Sequence, residues 1–380
     1  MKHWMRTVGG LALVTALAVL TACTAGPTTV GVIVSLTGPA ASYGQSIKQG
    51  LELALGEING QGGVNNQPLQ LDIRDCQSSP ETGQQIMQEF IEQRLMAVIG
   101  ADASDVTLAI APLAIEAKTV LISPASSSPR LSGIGAGFYR NYPSDQVEAQ
   151  FLAQFLRRTL FLKDMAIIAV SEEYGRGMKR EFTESFKKQR GNIVDFANLP
   201  SGFSDEQLAA AIEKVQNAQP PAEAVYLVGY TEEVARMVTG LRAAGVTARA
   251  VSVGAVGNGD LPALAGEAAE GLIFPMPAFD PADTQAHVQQ FVQAYTGKFG
   301  QAPDLFAAHA YDALHLLAPN LQEAQDSSDI MFSIQQMGTY EGVAGATGFN
   351  GQGDTVKPFI LREVRDGQIG PWQPPEEAAG

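Results

Sequence analysis

Short, unbroken apolar runs, each followed by a stretch with helical spacing, recur along most of this chain. No other feature restricts its fold as tightly. Residues 30–34, 96–99 and 120–123 are such runs, rich in Val, Ile and Leu, and 69–73 (LQLDI) is a further strand candidate. Between them, residues 46–58, 81–94 and 107–117 carry apolar side chains about every third or fourth position, as at Ile47, Leu51, Leu53, Ala54 and Ile58. Strands apolar on both faces must be covered on both faces. The alternation therefore predicts a parallel sheet with helices on either side.

The pattern then restarts. Residues 145–158 and 176–190 have helical spacing around the run MAIIAV (165–170). Ser204, with Gln207 three residues on, has the form of a capping box opening the next helix. Strands are expected at 225–228 and 250–253 with a helix at 231–244 between them. This predicts a second doubly wound α/β unit. Beyond residue 275 the spacing suggests helices at 284–299, 305–324 and 330–337, then a strand at 358–364.

The first residues carry a separate signal. Lys2 and Arg6 precede an uncharged apolar run from 8 to 20, and Leu-Thr-Ala-Cys follows at 20–23. A positive start, a short apolar core and small residues before a cut describe a secretory signal rather than a membrane span. The tetrad resembles the lipobox of bacterial lipoproteins, which implies cleavage after residue 22 and lipidation of Cys23. Residues 23–28 would then be a tether, and the Pro-rich segment 371–380 a loose tail. Cys76 would have no disulfide partner and is expected as a half-buried free thiol near a strand end.

Composition removes several functions. With 25 Lys+Arg against 40 Asp+Glu, the formal charge is −15. A nucleic-acid partner needs a basic face, and none is expected here. No phosphate-binding loop, no HExxH pair and no GxSxG turn occur. Asp312 and His315 stand three apart and fit a solvated helix face better than a catalytic pair. Neither a cofactor, a metal site nor an enzymatic activity is expected.

Several segments, taken in order, resemble one family. They are GVIVSLTGPAASYGQSIKQGLELALGEINGQGGVNNQPLQL (31–71), VIGADASD (98–105), LISPASSSP (121–129), FYRNYPSDQ (138–146), SEEYGRG (171–177), YLVGY (226–230) and LAGEAAEGL (264–272). The chain is thereby similar to type I periplasmic solute-binding proteins of ABC importers, of the branched-chain amino acid (leucine/isoleucine/valine) group. The similarity runs from about residue 29 to about residue 361. It implies two Rossmann-like lobes joined by three crossovers, near 141–143, 274–278 and 346–349, with a ligand trapped between them. Lobe 1 would comprise 29–142 plus 275–346, and lobe 2 would comprise 143–274 plus 347–370.

The resemblance also implies site residues. Ser104 would hold a ligand carboxylate through its hydroxyl and the start of a helix, where N–H groups lack partners. In the loop Ala125, Ser126 and Ser127, a backbone carbonyl would meet the ammonium and Ser127 the carboxylate. Tyr43 would touch the ligand side chain, and Tyr174 and Tyr230 would close over it, with Phe306 as an apolar wall. One position departs from the pattern. Binders of the leucine type carry a Glu after the strand at 250–253, to pair with the ligand ammonium, and Gly254 stands there. Asp102, Asp105, Glu172, Glu173 and Asp312 are the acids available in its place.

The implied function is that of an exported solute-binding lipoprotein facing the periplasm or cell exterior. It would take an amino acid or similar small carboxylate and deliver it to membrane permease subunits. Two alternatives stand beside this reading. One is a ligand without an ammonium, such as an organic or aromatic acid or an amide. The other is a ligand-sensing receptor subunit.

Overall fold

The computed structural model describes residues 28–374. The signal, Cys23 and most of the proposed tether and tail lie outside that range. The first unit runs β1 (Thr29–Val34), α1 (Ala41–Gly60), β2 (Gln70–Asp75), α2 (Pro80–Glu92), β3 (Ala97–Gly100), α3 (Ser104–Glu116), β4 (Val120–Ser123) and β5 (Phe138–Arg140). Its five strands are all parallel, in the order β2-β1-β3-β4-β5. Val30, Val32, Ile33, Val98, Ile99, Leu121 and Ile122 are fully buried in the core, as expected of a sheet covered on both faces.

The second unit follows as α4 (Asp145–Arg158), β6 (Asp164–Val170), α5 (Glu173–Lys188), β7 (Asn192–Leu199), α6 (Asp205–Asn217), β8 (Ala224–Val228), α7 (Thr231–Ala243), β9 (Arg249–Ser252), the short α8 (Leu261–Ala265) and β10 (Ile273–Pro277). Ser204 and Gln207 form the capping box of α6, each side chain bonded to the other's backbone N–H. The chain then returns to the first unit as α9 (Ala286–Phe299), α10 (Leu305–Leu321) and α11 (Ser327–Gln336). It closes with the hairpin β11 (Tyr340–Gly342) and β12 (Gly345–Thr347) and with β13 (Phe359–Arg365) and β14 (Gln368–Pro371). β13 and β14 add antiparallel to the second sheet, whose order is β14-β13-β10-β9-β8-β6-β7.

α10 packs along α1 so closely that a Cβ on Gly50 would stand 2.2 Å from the Ala307 carbonyl oxygen. Glycine is required there by contact between backbones. α10 thereby belongs with the first sheet.

Several expectations need correction. Residues 275–277 belong to β10 and the second sheet, so the return to the first unit starts after Pro277 rather than at 275. Pro371 lies in β14, and the Trp372 ring packs edge-on to Phe155 at 4.8 Å, so the chain is still ordered where a loose tail was expected. Cys76 is fully buried just beyond β2, not half-buried. Burial pushes its thiol up to about 12, which removes thiolate reactivity. Asp312 is likewise fully buried rather than on a solvated face. Its carboxylate accepts the Val343 and Ala344 N–H groups, both at 2.8 Å, and so fixes the β11–β12 turn.

A buried cation ties the end of β5 to the segment before β13. Arg140, at the end of β5, has no exposure. Its Nε donates to Asp354 at 2.6 Å and its terminal nitrogens to the Ser128 carbonyl and the Ser132 hydroxyl, each at 2.8 Å. With all these groups paired, the burial penalty of the charge is offset.

Candidate functional site

Both sheets present the carboxyl ends of their parallel strands to one cleft, the usual place for a ligand in open α/β sheets. A cavity of about 30 Å³ lies in this cleft, room for about two water molecules. From the first unit Tyr43, Asp102, Ser104, Ala125, Ser127, Tyr142 and Phe306 line it. From the second come Glu148, Tyr174, Tyr230 and Ala255.

The lobes touch across this cleft. The Tyr43 hydroxyl accepts the Thr231 N–H at 2.8 Å and bonds the Thr231 hydroxyl at 2.9 Å. Arg130 bridges to Glu173 at 3.0 Å. Glu173 is thus committed to Arg130, Arg176 and the Ser128 hydroxyl, and Glu172 accepts the Ser201 amide. Neither lines the cavity.

Ser104 is the first residue of α3, and its hydroxyl accepts the Ser128 N–H at 3.2 Å. The opening N–H groups of α3 have no intrahelical acceptor and favour an anion. Ala125 and Ser127 reach the cavity from the loop after β4. Ser126 does not. Its hydroxyl turns inward to the Ala101 carbonyl and to Thr107. Asp312 also stays outside the cavity, held at the β11–β12 turn. Aromatic rings form most of the remaining wall. Tyr43 stands 4.6 Å from Phe306 and 5.4 Å from Tyr230 between ring centroids, Tyr174 lies 5.7 Å from Tyr230, and Tyr142 is stacked on Phe306 at 5.9 Å.

Gly254 is buried beside the cavity, and its N–H donates to Glu148 Oε1 at 2.8 Å. A Cβ on Gly254 would stand 3.0 Å from Glu148 Oε2 and 2.9 Å from the Pro275 carbonyl oxygen. The space in which an acid is expected after β9 is therefore filled by an acid from the first turns of α4. Glu148 is 2% exposed. Burial, and next the nearby Asp145, push its carboxyl well above the usual range. Asp145 is itself pushed up to about 7 by burial. Asp102 accepts the Ser35 N–H on Oδ1 at 2.9 Å, and burial raises it to about 6.

Glu148 and Tyr142 were not among the residues marked by the sequence. Glu148 sits inside a helix whose polar positions resemble an ordinary surface face. Only the angle at which the first crossover delivers α4 turns that position inward.

The family described as "Periplasmic binding protein" matches residues 27–368. The leucine-, isoleucine-, valine-, threonine- and alanine-binding protein of Pseudomonas aeruginosa is 24% identical over 321 residues, covering 84% of each chain. Among solved structures, the branched-chain amino acid transporter substrate-binding protein of Streptococcus pneumoniae in complex with isoleucine superposes with a TM-score of 0.83. It is 25% identical over 90% of this chain and 97% of its own. A solute-binding protein of an ABC transporter from R. palustris, in complex with benzoate, has a TM-score of 0.82 at 20% identity, over 91% of this chain and 95% of its own. At that identity it bears on the fold alone.

Proposed function

We propose that this chain, which belongs to the periplasmic binding protein family, is the extracytoplasmic solute-binding component of an ABC importer and captures an amino acid between its lobes. One observation carries the choice of ligand. Glu148, a buried carboxyl lining the cavity, stands in the space that Gly254 leaves open. A buried acid has to meet a cation or stay protonated. An α-ammonium supplies the cation. Opposite it, Ser104, Ser127 and the start of α3 offer hydroxyls and N–H groups to the α-carboxylate, each charge-assisted bond being worth about 1.5–3 kcal/mol.

The site also suits a hinged mechanism. A ligand touching both Ser104 on one lobe and Glu148 or Tyr174 on the other binds the closed arrangement better than the open one. It shifts the population by that difference in affinity. A permease would read the relative position of the lobes. Anchoring through Cys23 would keep the binder beside it.

The ring-lined wall favours a second reading, an aromatic carboxylate. It leaves Glu148 without a cation, so the amino acid is preferred. A thermal-shift screen of the twenty L-amino acids against benzoate, aliphatic acids and amides tests the choice, since a tight ligand raises the melting temperature by mass action. Stabilisation by amino acids and not by plain carboxylates is expected. The opposite order would overturn the reading.

A further inference from the structure

Resting on the amino-acid reading, we propose that the ligand is a basic amino acid, whose side-chain cation is received by Asp102. Asp102 lines the cavity while only 6% exposed. Its Oδ1 is held by the Ser35 N–H, and its Oδ2 has no hydrogen-bond partner. No Lys, Arg or His is among the residues that line this cavity.

The charges then decide between side chains. In the proposed pose the α-carboxylate is met by neutral hydroxyls and amides, and the α-ammonium by Glu148. A ligand with an apolar side chain would leave the free oxygen of Asp102, already shut off from solvent, without a counterion. That burial is costly for a carboxylate without a counterion. A ligand carrying a second cation pairs with Asp102 instead.

The geometry agrees. Asp102 and Ser104 stand two residues apart on the turn from β3 into α3. In the proposed pose the α-carboxylate sits at Ser104 and the side chain runs along the Asp102 side of the cavity. Tyr43, Tyr230 and Phe306 line the same cavity as Asp102, and aromatic ring faces attract an ammonium or guanidinium.

Calorimetric titration of the full chain at pH 7.5 with the twenty L-amino acids tests this. L-Arginine or L-lysine is expected to bind at least about tenfold more tightly than L-leucine and L-glutamine, the difference one charged hydrogen bond makes. Asp102→Asn keeps the acceptor for the Ser35 N–H. It is expected to weaken the basic ligands about tenfold or more and, with no charge left to bury, to tighten leucine. Tightest binding of a neutral amino acid by the wild-type protein overturns the proposal and leaves the amino-acid reading standing. Binding of none of the twenty overturns both. Unchanged affinity for arginine and lysine in Asp102→Asn overturns the role of Asp102.

Discussion

Glu148 Oε1 accepts the Gly254 amide N–H at 2.8 Å, joining residues 106 positions apart in the sequence. This contact explains how a chain with glycine after β9 can still present an acid to its cleft. Acid and glycine form one device, because the glycine leaves the room the acid occupies.

Gly254→Ala therefore acts on the site from behind. The added Cβ would crowd both Glu148 Oε2 and the Pro275 carbonyl. The backbone oxygen cannot move aside without disturbing β10. A loss of about 1–3 kcal/mol of stability is expected from such overpacking. Affinity for the amino acid should drop with it as Glu148 is displaced. Denaturant unfolding and ligand titration of the same variant measure the two effects.

The carboxylate end is tested by Ser104→Ala combined with Ser127→Ala. Both side chains are small and buried at the cavity wall, so the fold should survive. Loss of two hydroxyl donors to a charged group predicts a fall in affinity of about a hundredfold. Unaltered binding by the double variant would remove the proposed anchor.

Tyr43→Phe tests closure. It leaves the buried Thr231 N–H without the hydroxyl that accepts from it. An unpaired buried donor costs about 1–3 kcal/mol. That cost falls on the closed arrangement only, because water can reach Thr231 when the lobes part. A faster ligand off-rate with a nearly unchanged on-rate is expected in stopped-flow fluorescence.

Asp102 links stability to pH. Its carboxyl is raised from 3.8 to about 6 in the folded chain. Between those values the native state holds a proton that the unfolded chain releases. The contribution is complete below about pH 4 and is lost as pH rises towards 6. It amounts to something on the order of 2–3 kcal/mol. Asp102→Asn, which has no such charge to bury, should melt higher than wild type at pH 7.5 without ligand. The gain should vanish near pH 4.

Glu148 gives binding its own pH dependence. An ammonium ligand favours the ionised carboxyl, and burial favours the neutral one. Amino-acid affinity is expected to rise with pH, with protons released on binding. Titrations in buffers of different ionisation enthalpy detect that release.

Much of this was legible in the sequence. The run MAIIAV, the spacing over 145–158 and the Ser204–Gln207 pair each mark an element in local terms, and local terms suffice for buried parallel strands and well-capped helices. β10 was harder to see. Its sequence IFPMP contains two prolines without N–H groups, and it pairs with β9 only at Ile273. Such a run does not look like a strand until β13 is laid beside it. β5, three residues long, was too short to show a period. Ser104, Ser127 and the tyrosines stand after strand ends, where the rule for open sheets looks for a site. Glu148 could not be found that way. It is one acid among many on helices, and it faces the cleft only because Arg140 and Asn141 fix where α4 begins.

The central claim is that Glu148 pairs with the ligand's α-ammonium. The most direct test is a matched calorimetric titration of wild type and Glu148→Gln with the best-binding L-amino acid and with the same molecule lacking its amino group. Wild type should prefer the amino acid by at least about tenfold, the value of one charge-assisted bond, and Glu148→Gln should lose most of that preference. Equal binding of both molecules by wild type, or an undiminished preference in Glu148→Gln, would contradict it.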